Sequence, residues 1–557
     1  MLLIVGWDGA SPNIIEALLR EGKLPNLAFL RERGGWGRVR APWPPVTFPS
    51  WTTFMTGVNP GRHGIFDFTR RVPGSYRVHF VNATWRRAPS IWKMLSAAGK
   101  RVCVLGLPAT YPPEAVNGVL LSGFDTPVTT KADPSFMYPP DRSAEIFDLG
   151  GFPFAEFQEF RAGPGWYARA RALLLAGIEQ KLRVAEYFLR QEPWDCFLVL
   201  FGESDTVAHH FWHYRDPSSP FASAGRACGL GDVVAEVYQA LDYSLGRLLA
   251  LAPDANVLVI SDHGFGGAST TRIYLNRWLC EHGWLRFQKT SGARAWGKNL
   301  KAFALQSIPL RFQRMLFRWQ GGKWSNALET SARFAGIDFR LSAAFSEELG
   351  YFPSIWLNVK GRDQWGVVDH SDYQRVRDDI REALWGWRDP MSGKVLVRNV
   401  WYREELYSGP FVEEAPDIIL ELEEDAGGYA ILAGTSGGTP GPSVGQVHLG
   451  RWRGGKLQGL SGTHRQDGIF ALSGPSIRAA GDRGPVRMEQ FAPTILALCG
   501  VAPGNELFDG ETCAPVVSEN ARTIEHIVQS WLPSGRVYSK QEEAEVCKRL
   551  KDLGYLE

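Results

Sequence analysis

Leu2-Leu3-Ile4-Val5-Gly6-Trp7-Asp8-Gly9 decides how the rest of the chain is read. A run of apolar residues too short for a helix ends on an acidic residue and a glycine. That is how a strand buried on both faces delivers a polar side chain to its carboxyl end. The same design returns in Asn256-Val257-Leu258-Val259-Ile260-Ser261-Asp262-His263-Gly264, and in the strand at 196–201, which is followed by Asp205 and, four residues on, His209. Further strand-like runs lie at 102–107, 118–122, 417–421 and 469–472, and helical patterns at 11–21, 91–98, 168–189 and 231–251 lie among them. Alternation of continuous apolar strands with helices predicts an α/β fold with a doubly wound, mostly parallel sheet and functional groups at the strand carboxyl ends.

The chain has 557 residues, 44% hydrophobic and 22% charged, so a large core is within its means. Rhythm breaks at about 271 and resumes near 417, which predicts a first core segment at 1–270, an α+β insertion or cap at 271–415, a second core segment at 416–519 and a helical tail at 520–557. The Gly/Pro-rich stretch at 434–445 reads as a surface loop. A net charge of +2 gives no electrostatic reason to seek nucleic acid. Seven cysteines, with no C-x-x-C pair, read as buried free thiols of a reducing compartment. No export-type leader opens the sequence and no run of about 18 apolar residues occurs, so the expectation is a cytoplasmic chain without a spanning helix.

Taken singly, the polar residues are weak signals. An Asp after a strand is commonly a turn residue, and D-x-x-x-H is close to noise. Asp205 and His209 share a helix face one turn apart if Ser204 caps that helix. Carboxylate and imidazole together suit zinc, iron or manganese. In Pro44-Pro45-Val46-Thr47-Phe48-Pro49-Ser50-Trp51, Pro49 reads as the first helical residue and Gly57 as the stop. Thr47 then lies just ahead of a helix N-terminus that favours a phosphate anion, while local sequence alone favours Thr47 or Ser50 as that helix's cap.

Together the motifs resemble the alkaline phosphatase superfamily, in its type I phosphodiesterase/nucleotide pyrophosphatase branch and the prokaryotic phosphohydrolase/phosphomutase group within it. The matching segments run in order: Val5 to Gly9, Thr47 to Ser50, Thr56-Gly57-Val58-Asn59-Pro60-Gly61-Arg62-His63-Gly64, Asp205 to His209, Ser261 to Gly264, Gly462-Thr463-His464, Phe491 to Leu496, Phe508-Asp509-Gly510 and the closing Leu553-Gly554-Tyr555. The resemblance implies an alkaline-phosphatase-like fold and two divalent cations, zinc first, with manganese or iron as alternatives. One would be held by Asp205, His209 and His464, the other by Asp8, Asp262 and His263 with Thr47. His464, read alone, is structural; only the resemblance makes it a ligand. The implied reaction is attack of Thr47 on a small-molecule phosphoester, followed by hydrolysis of a phosphothreonine.

Some features depart from the pattern or lie outside it. Thr47 rather than Cys or Ser, with Trp51 where sulfatases place Arg, argues against sulfate esters. The Asn that phosphodiesterases of this branch place some twenty residues after the nucleophile falls here near Phe66-Asp67-Phe68. A phosphomutase or phosphoryl transferase is the alternative enzyme, and a binding protein that has lost turnover is opposed by the complete ligand set. His210 and His213 read as supporting or surface residues, His63 as structural and Glu203 as a turn cap. The basic, apolar segment at 298–323 reads as a cap helix pair packing on the core rather than a contact for anionic membrane.

Overall fold

The computed structural model describes residues 1–127, 134–154, 165–223, 229–288, 334, 336–348, 352–425, 428–435, 440–447, 460–477, 481–502, 507–513, 522–523 and 537–553. The segment at 298–323 and the terminal Gly554-Tyr555 lie outside them.

Parallel pairing joins five strands in the order Asn256–Ile260, Leu2–Trp7, Cys196–Phe201, Val102–Leu107 and Gly118–Ser122. Antiparallel strands extend both sides. Asp467–Ser473 pairs with Asn256–Ile260 and carries Gly35–Arg40 beyond it, while Met137–Tyr138 closes the other edge. Side chains alternate across this sheet, and both faces are apolar. Leu3, Val5, Phe197, Val199, Val257 and Val259 pack under the helices Pro12–Arg20, Pro25–Arg33, Trp166–Gln191, Glu203–Arg215 and Val233–Leu251. Leu2, Ile4, Leu198, Leu200, Leu258 and Ile260 pack under Thr47–Thr56, Ile91–Ala97 and Phe491–Leu498. That two-sided burial explains the continuous apolar runs, and the fold is the doubly wound, mostly parallel α/β sheet the sequence predicts.

Two accessory sheets, of five and four strands, are built from the chain between the core strands. Gly264–Ile273 runs across residue 270 and pairs with Gly428–Leu432, Val444–Gln446 and Gly462–Arg465. Part of the stretch read as a surface loop therefore forms the strand Val444–Gln446. The strand expected at 417–421 is Ile418–Leu422, and it does not resume the core sheet. It pairs antiparallel with Ser354–Leu357 and Val397–Tyr402 in a four-stranded accessory sheet. Its apolar run has a different cause: Ile418, Leu420 and Leu422 face the accessory core, while Ile419 packs with Trp43 and Tyr407 on the other side. Among the described residues, the chain re-enters the central sheet at Asp467–Ser473. The tail helix is Lys540–Leu553, whose Val546 and Leu550 pack with Phe48, Phe68 and Tyr111. No described helix is long and apolar enough to cross a membrane.

Candidate active site

Register places three strand ends abreast, because Trp7 pairs with Phe201 and Gly6 with Ile260. Asp8 follows at once, its amide donating to the Phe201 carbonyl at 3.0 Å. The next residue must be glycine. Gly9 has φ +62°, and a Cβ there would lie 3.1 Å from the Asp205 Cα. Its amide donates to Asp262 Oδ1 at 3.1 Å, and Ala10 N donates to Ser261 Oγ at 2.8 Å, which ties the first strand end to the Asp262-His263 turn.

Asp205 and His209 do lie one turn apart on Glu203–Arg215, with Asp205 Oδ2 3.6 Å from His209 Nε2. Ser204 is not the cap. Gly202 is the N-cap, and Ser204 Oγ donates instead to the Asp8 carbonyl at 2.6 Å, fastening this helix to the first strand. The helix Thr47–Thr56 also starts earlier than its proline suggests. Val46 is its N-cap and makes no side-chain cap bond, so Thr47 is the first helical residue and Pro49 the third. The first turn leaves the Thr47 and Phe48 amides without intrahelical acceptors. Gly57 ends the helix at φ +70°, as expected.

Three histidines are held alike. His263 Nδ1 lies 3.1 Å from the Gly264 carbonyl, His464 Nδ1 2.9 Å from the Pro45 carbonyl and His209 Nδ1 3.3 Å from the Gly462 carbonyl. A carbonyl only accepts, so each Nδ1 carries the proton and each Nε2 presents a lone pair. Those lone pairs converge. His209 Nε2 is 3.0 Å from His464 Nε2, and His464 Nε2 is 3.3 Å from Asp205 Oδ1. His263 Nε2 is 3.3 Å from Asp262 Oδ2, 3.7 Å from Asp8 Oδ1 and 3.2 Å from Thr47 Oγ1. All seven side chains are fully buried. His464, which the residues alone left as structural, sits at the centre, stacked on His263 with ring centroids 3.8 Å apart.

Left to themselves these groups repel. Burial, with neighbouring carboxylates, pushes Asp8 and Asp262 well above the usual carboxylate range. Burial pushes His209 and His263 down and His464 to about 3. Asp8 Oδ1 and Asp262 Oδ2 are buried without a hydrogen-bond donor. Facing lone pairs and donorless carboxylate oxygens are what a cation site offers. Asp8, Asp262 and His263 form one group with ligand atoms within 4.8 Å of one another; Asp205, His263 and His464 form a second, with His209 beside it. The donor chemistry fits divalent metal.

Other histidines stay apart from this cluster. His63 is structural, its Nδ1 3.2 Å from the Ile65 amide and its Nε2 3.0 Å from Thr53 Oγ1. The corner that contains it is locked by Asp509, which accepts from the Asn59 amide and side chain at 2.7 and 2.8 Å and from Arg62 at 2.6 Å. His210 and His213 are buried rather than on the surface, and His213 Nδ1 lies 2.9 Å from Ser461 Oγ. Glu203 forms a buried ion pair with Lys181 at 2.8 Å instead of capping a turn. The six described cysteines form no disulfide; four are buried, Cys280 and Cys513 are half-buried, and Cys228 lies outside the described residues. Sequence reasoning missed Trp51, whose Nε1–H donates to Asp8 Oδ2 at 2.9 Å. Its position four residues after Thr47, on the same helix face, was the available signal.

Residues 2–442 match the profile of the family described as type I phosphodiesterase / nucleotide pyrophosphatase, and the chain belongs to that family. Among solved structures it is similar to phosphonoacetate hydrolase from Sinorhizobium meliloti 1021 in complex with phosphonoformate, at 17% identity over 89% of this chain and 95% of that one, with a TM-score of 0.53. A match to human ectonucleotide pyrophosphatase/phosphodiesterase 5 has 14% identity over 92% and 97% of the two chains, with a TM-score of 0.46. No curated protein matches the sequence. The first of these structural likenesses establishes the alkaline-phosphatase-like fold.

Proposed function

We propose that the chain is a metal-dependent phosphoester hydrolase in which Thr47 is the nucleophile. The observation that carries this reading is the convergence of three Nε2 lone pairs and three carboxylates beside the Thr47 hydroxyl, 3.2 Å from His263 Nε2, at one edge of the sheet. Asp8, Asp262 and His263 would hold one divalent cation and Asp205, His209 and His464 the other, with zinc the best match and manganese or iron as alternatives. When bound, such a pair supplies the positive charge that stabilises the attacking and departing oxygens of an in-line displacement.

The chain's own contribution is position. Thr47 Oγ1 lies 3.2 Å from His263 Nε2, so its oxygen stands beside the ligand atoms of the first group, and a cation held there would favour loss of the hydroxyl proton. The free amides of the first helical turn stand ready for a phosphoryl oxygen. Thr47 Oγ1 forms a bond to phosphorus as the ester oxygen leaves, and water then cleaves the phosphothreonine. Complete burial of the ligands keeps bulk water out of the charge cluster and strengthens every interaction in it.

The test is Thr47→Ala, assayed on p-nitrophenyl phosphate and its bis-ester, with metal content measured in parallel. Turnover falls by at least about 10³-fold while metal stays bound, and acid quench of the wild type yields a phosphorylated Thr47 peptide. Substantial activity in the variant removes Thr47 from its role.

A further inference from the structure

A cleft of about 50 Å³ opens between the core and the accessory sheet. Pro44 and Asp67 line it from the core, and Glu347, Trp356 and Tyr407 from the other side. Pro44 leads directly to the nucleophile. Three residues span at most about 11 Å of extended chain, and a bond from Val46 N to the Pro44 carbonyl at 2.8 Å shortens the path to Thr47 further.

Donors and acceptors in this cleft are only partly satisfied: Glu347 Oε2 accepts from Thr69 Oγ1 at 3.4 Å and Asp67 Oδ1 from the Phe68 amide at 2.7 Å. Arg70 pairs with Glu414 at 3.1 Å and Arg71 with Asp363, yet Nη1 of Arg70 and Nε of Arg71 are buried with no acceptor. Trp356 is only 6% exposed, and its indole N–H has no partner either. It faces Glu347 but stops short of hydrogen-bond geometry. On the acceptor side, burial lifts Asp67 to about 6 and Glu347 to about 7, so near neutral pH each can take or give a proton in a hydrogen bond. Phe66 and Tyr407, with ring centroids 5.0 Å apart, supply an apolar wall.

Two guanidiniums oppose a cation here and two carboxylates oppose an anion. A hydroxyl, which both donates and accepts, suits every one of these groups, and its carbon skeleton suits the aromatic wall. At roughly 10–15 Å³ per water-sized group, the volume takes three to five such groups, which is the alcohol portion of a two- or three-carbon polyol ester. We propose that this cleft binds the polyol alcohol portion of the phosphoester, its hydroxyls bridging Asp67 and Glu347 to the Trp356 indole N–H and to Arg70 and Arg71. The assignment rests on the hydrolase reading for its orientation toward Thr47.

The experiment compares wild type, Asp67→Ala, Asp67→Asn and Trp356→Phe on glycerol 3-phosphate and p-nitrophenyl phosphate, with thermal melts to confirm folding. The ratio of kcat/KM for the glycerol ester to that for the aryl ester falls about tenfold or more in Asp67→Ala and Trp356→Phe, chiefly through KM, and recovers partly in Asp67→Asn. A ratio within twofold of wild type in the folded variants overturns the subsite and leaves the hydrolase standing. If the wild type hydrolyses neither these esters nor bis-p-nitrophenyl phosphate, calorimetric binding of glycerol 3-phosphate that weakens tenfold in Trp356→Phe upholds the subsite and sinks the hydrolase. Absence of that binding overturns the subsite as well.

Discussion

Trp51→Phe isolates one hydrogen bond at the heart of the cluster. The indole N–H donates to Asp8 Oδ2 at 2.9 Å, so the other oxygen, Oδ1, is the one turned toward His263 Nε2, 3.7 Å away. Both residues are fully buried, and no water competes for the donor. A hydrogen bond to a charged group in such a place is worth about 1.5–3 kcal/mol. If that loss falls on the cation held by Asp8, Asp262 and His263, affinity drops by about 10- to 150-fold. Supporting bonds to metal ligands usually cost about 10–100-fold when removed, which agrees. The loss also has a pH signature. The Trp51 bond pulls the Asp8 carboxyl down against burial and Asp205, so its removal raises Asp8 further and lets protons compete harder at low pH. Zinc competition against a chromophoric chelator at pH 6 and pH 8 reads both effects, and excess zinc restores most of the kcat/KM on p-nitrophenyl phosphate. The smaller ring also costs packing against Phe54, so a urea titration must accompany the assay. Zinc affinity within twofold of wild type at both pH values would refute the reasoning.

Removing one member of the buried Lys181–Glu203 pair strands the other, so Lys181→Met costs about 3–5 kcal/mol in urea unfolding, while Lys181→Met with Glu203→Leu recovers most of it. A single change costing under about 1 kcal/mol would show the pair to be solvated. Asp125 is buried, accepts from the Tyr111 amide at 2.9 Å and is pushed up to about 7. A carboxyl raised on folding contributes stability that is full below pH ~4 and is lost as pH climbs through about 7, at most about 4 kcal/mol here. Asp125→Asn therefore flattens the difference in unfolding free energy between pH 5 and pH 8; an unchanged pH slope would remove Asp125 as its source. Chelation removes the cations' charge from beside the buried Asp8, Asp205 and Asp262, so metal removal lowers the melting temperature as well as abolishing turnover, and coincident melts with and without zinc would contradict the cation assignment.

The central sheet was legible because its strands are apolar on both faces. Leu2 to Trp7 and Asn256 to Ile260 read as strands without ambiguity, and the sheet rule then located Asp8 and Asp262-His263 at one edge. The same signal misled at Ile418–Leu422. Burial on two faces arises there from sandwiching between the accessory core and Trp43, and local sequence records burial rather than the identity of the neighbouring strand. The start of the Thr47–Thr56 helix was missed for a similar reason. Pro49 is comfortable anywhere in the first turn, so it could not say which residue comes first. His464 was illegible from its surroundings alone. What makes it converge on the site is its pairing opposite Phe265 and the Pro45 carbonyl, partners 199 and 419 residues away in sequence. Asp67 and Glu347 lie 280 residues apart, and only the accessory sheet brings them to one cleft.

Long-range anchoring also explains why the site holds its shape under self-repulsion. Every histidine of the cluster is pinned through Nδ1 to a backbone carbonyl, Asp262 through the Gly9 amide and Asp8 through Trp51. These anchors belong to the central sheet and the helices packed on it, to the paired strands Gly264–Ile273 and Gly462–Arg465, or to the Pro45 loop leading into the Thr47–Thr56 helix. The 3.0 Å approach of His209 and His464 is therefore imposed by the scaffold and stays unfavourable until a positive charge enters between the lone pairs. A site formed by collapse around the metal would relax instead when the metal is removed. The two cases part in one observable: with the anchors intact, the Nδ1 protons of His209, His263 and His464 remain slow to exchange in chelated protein, and rapid exchange there would mean that the cation, rather than the fold, assembles the pocket.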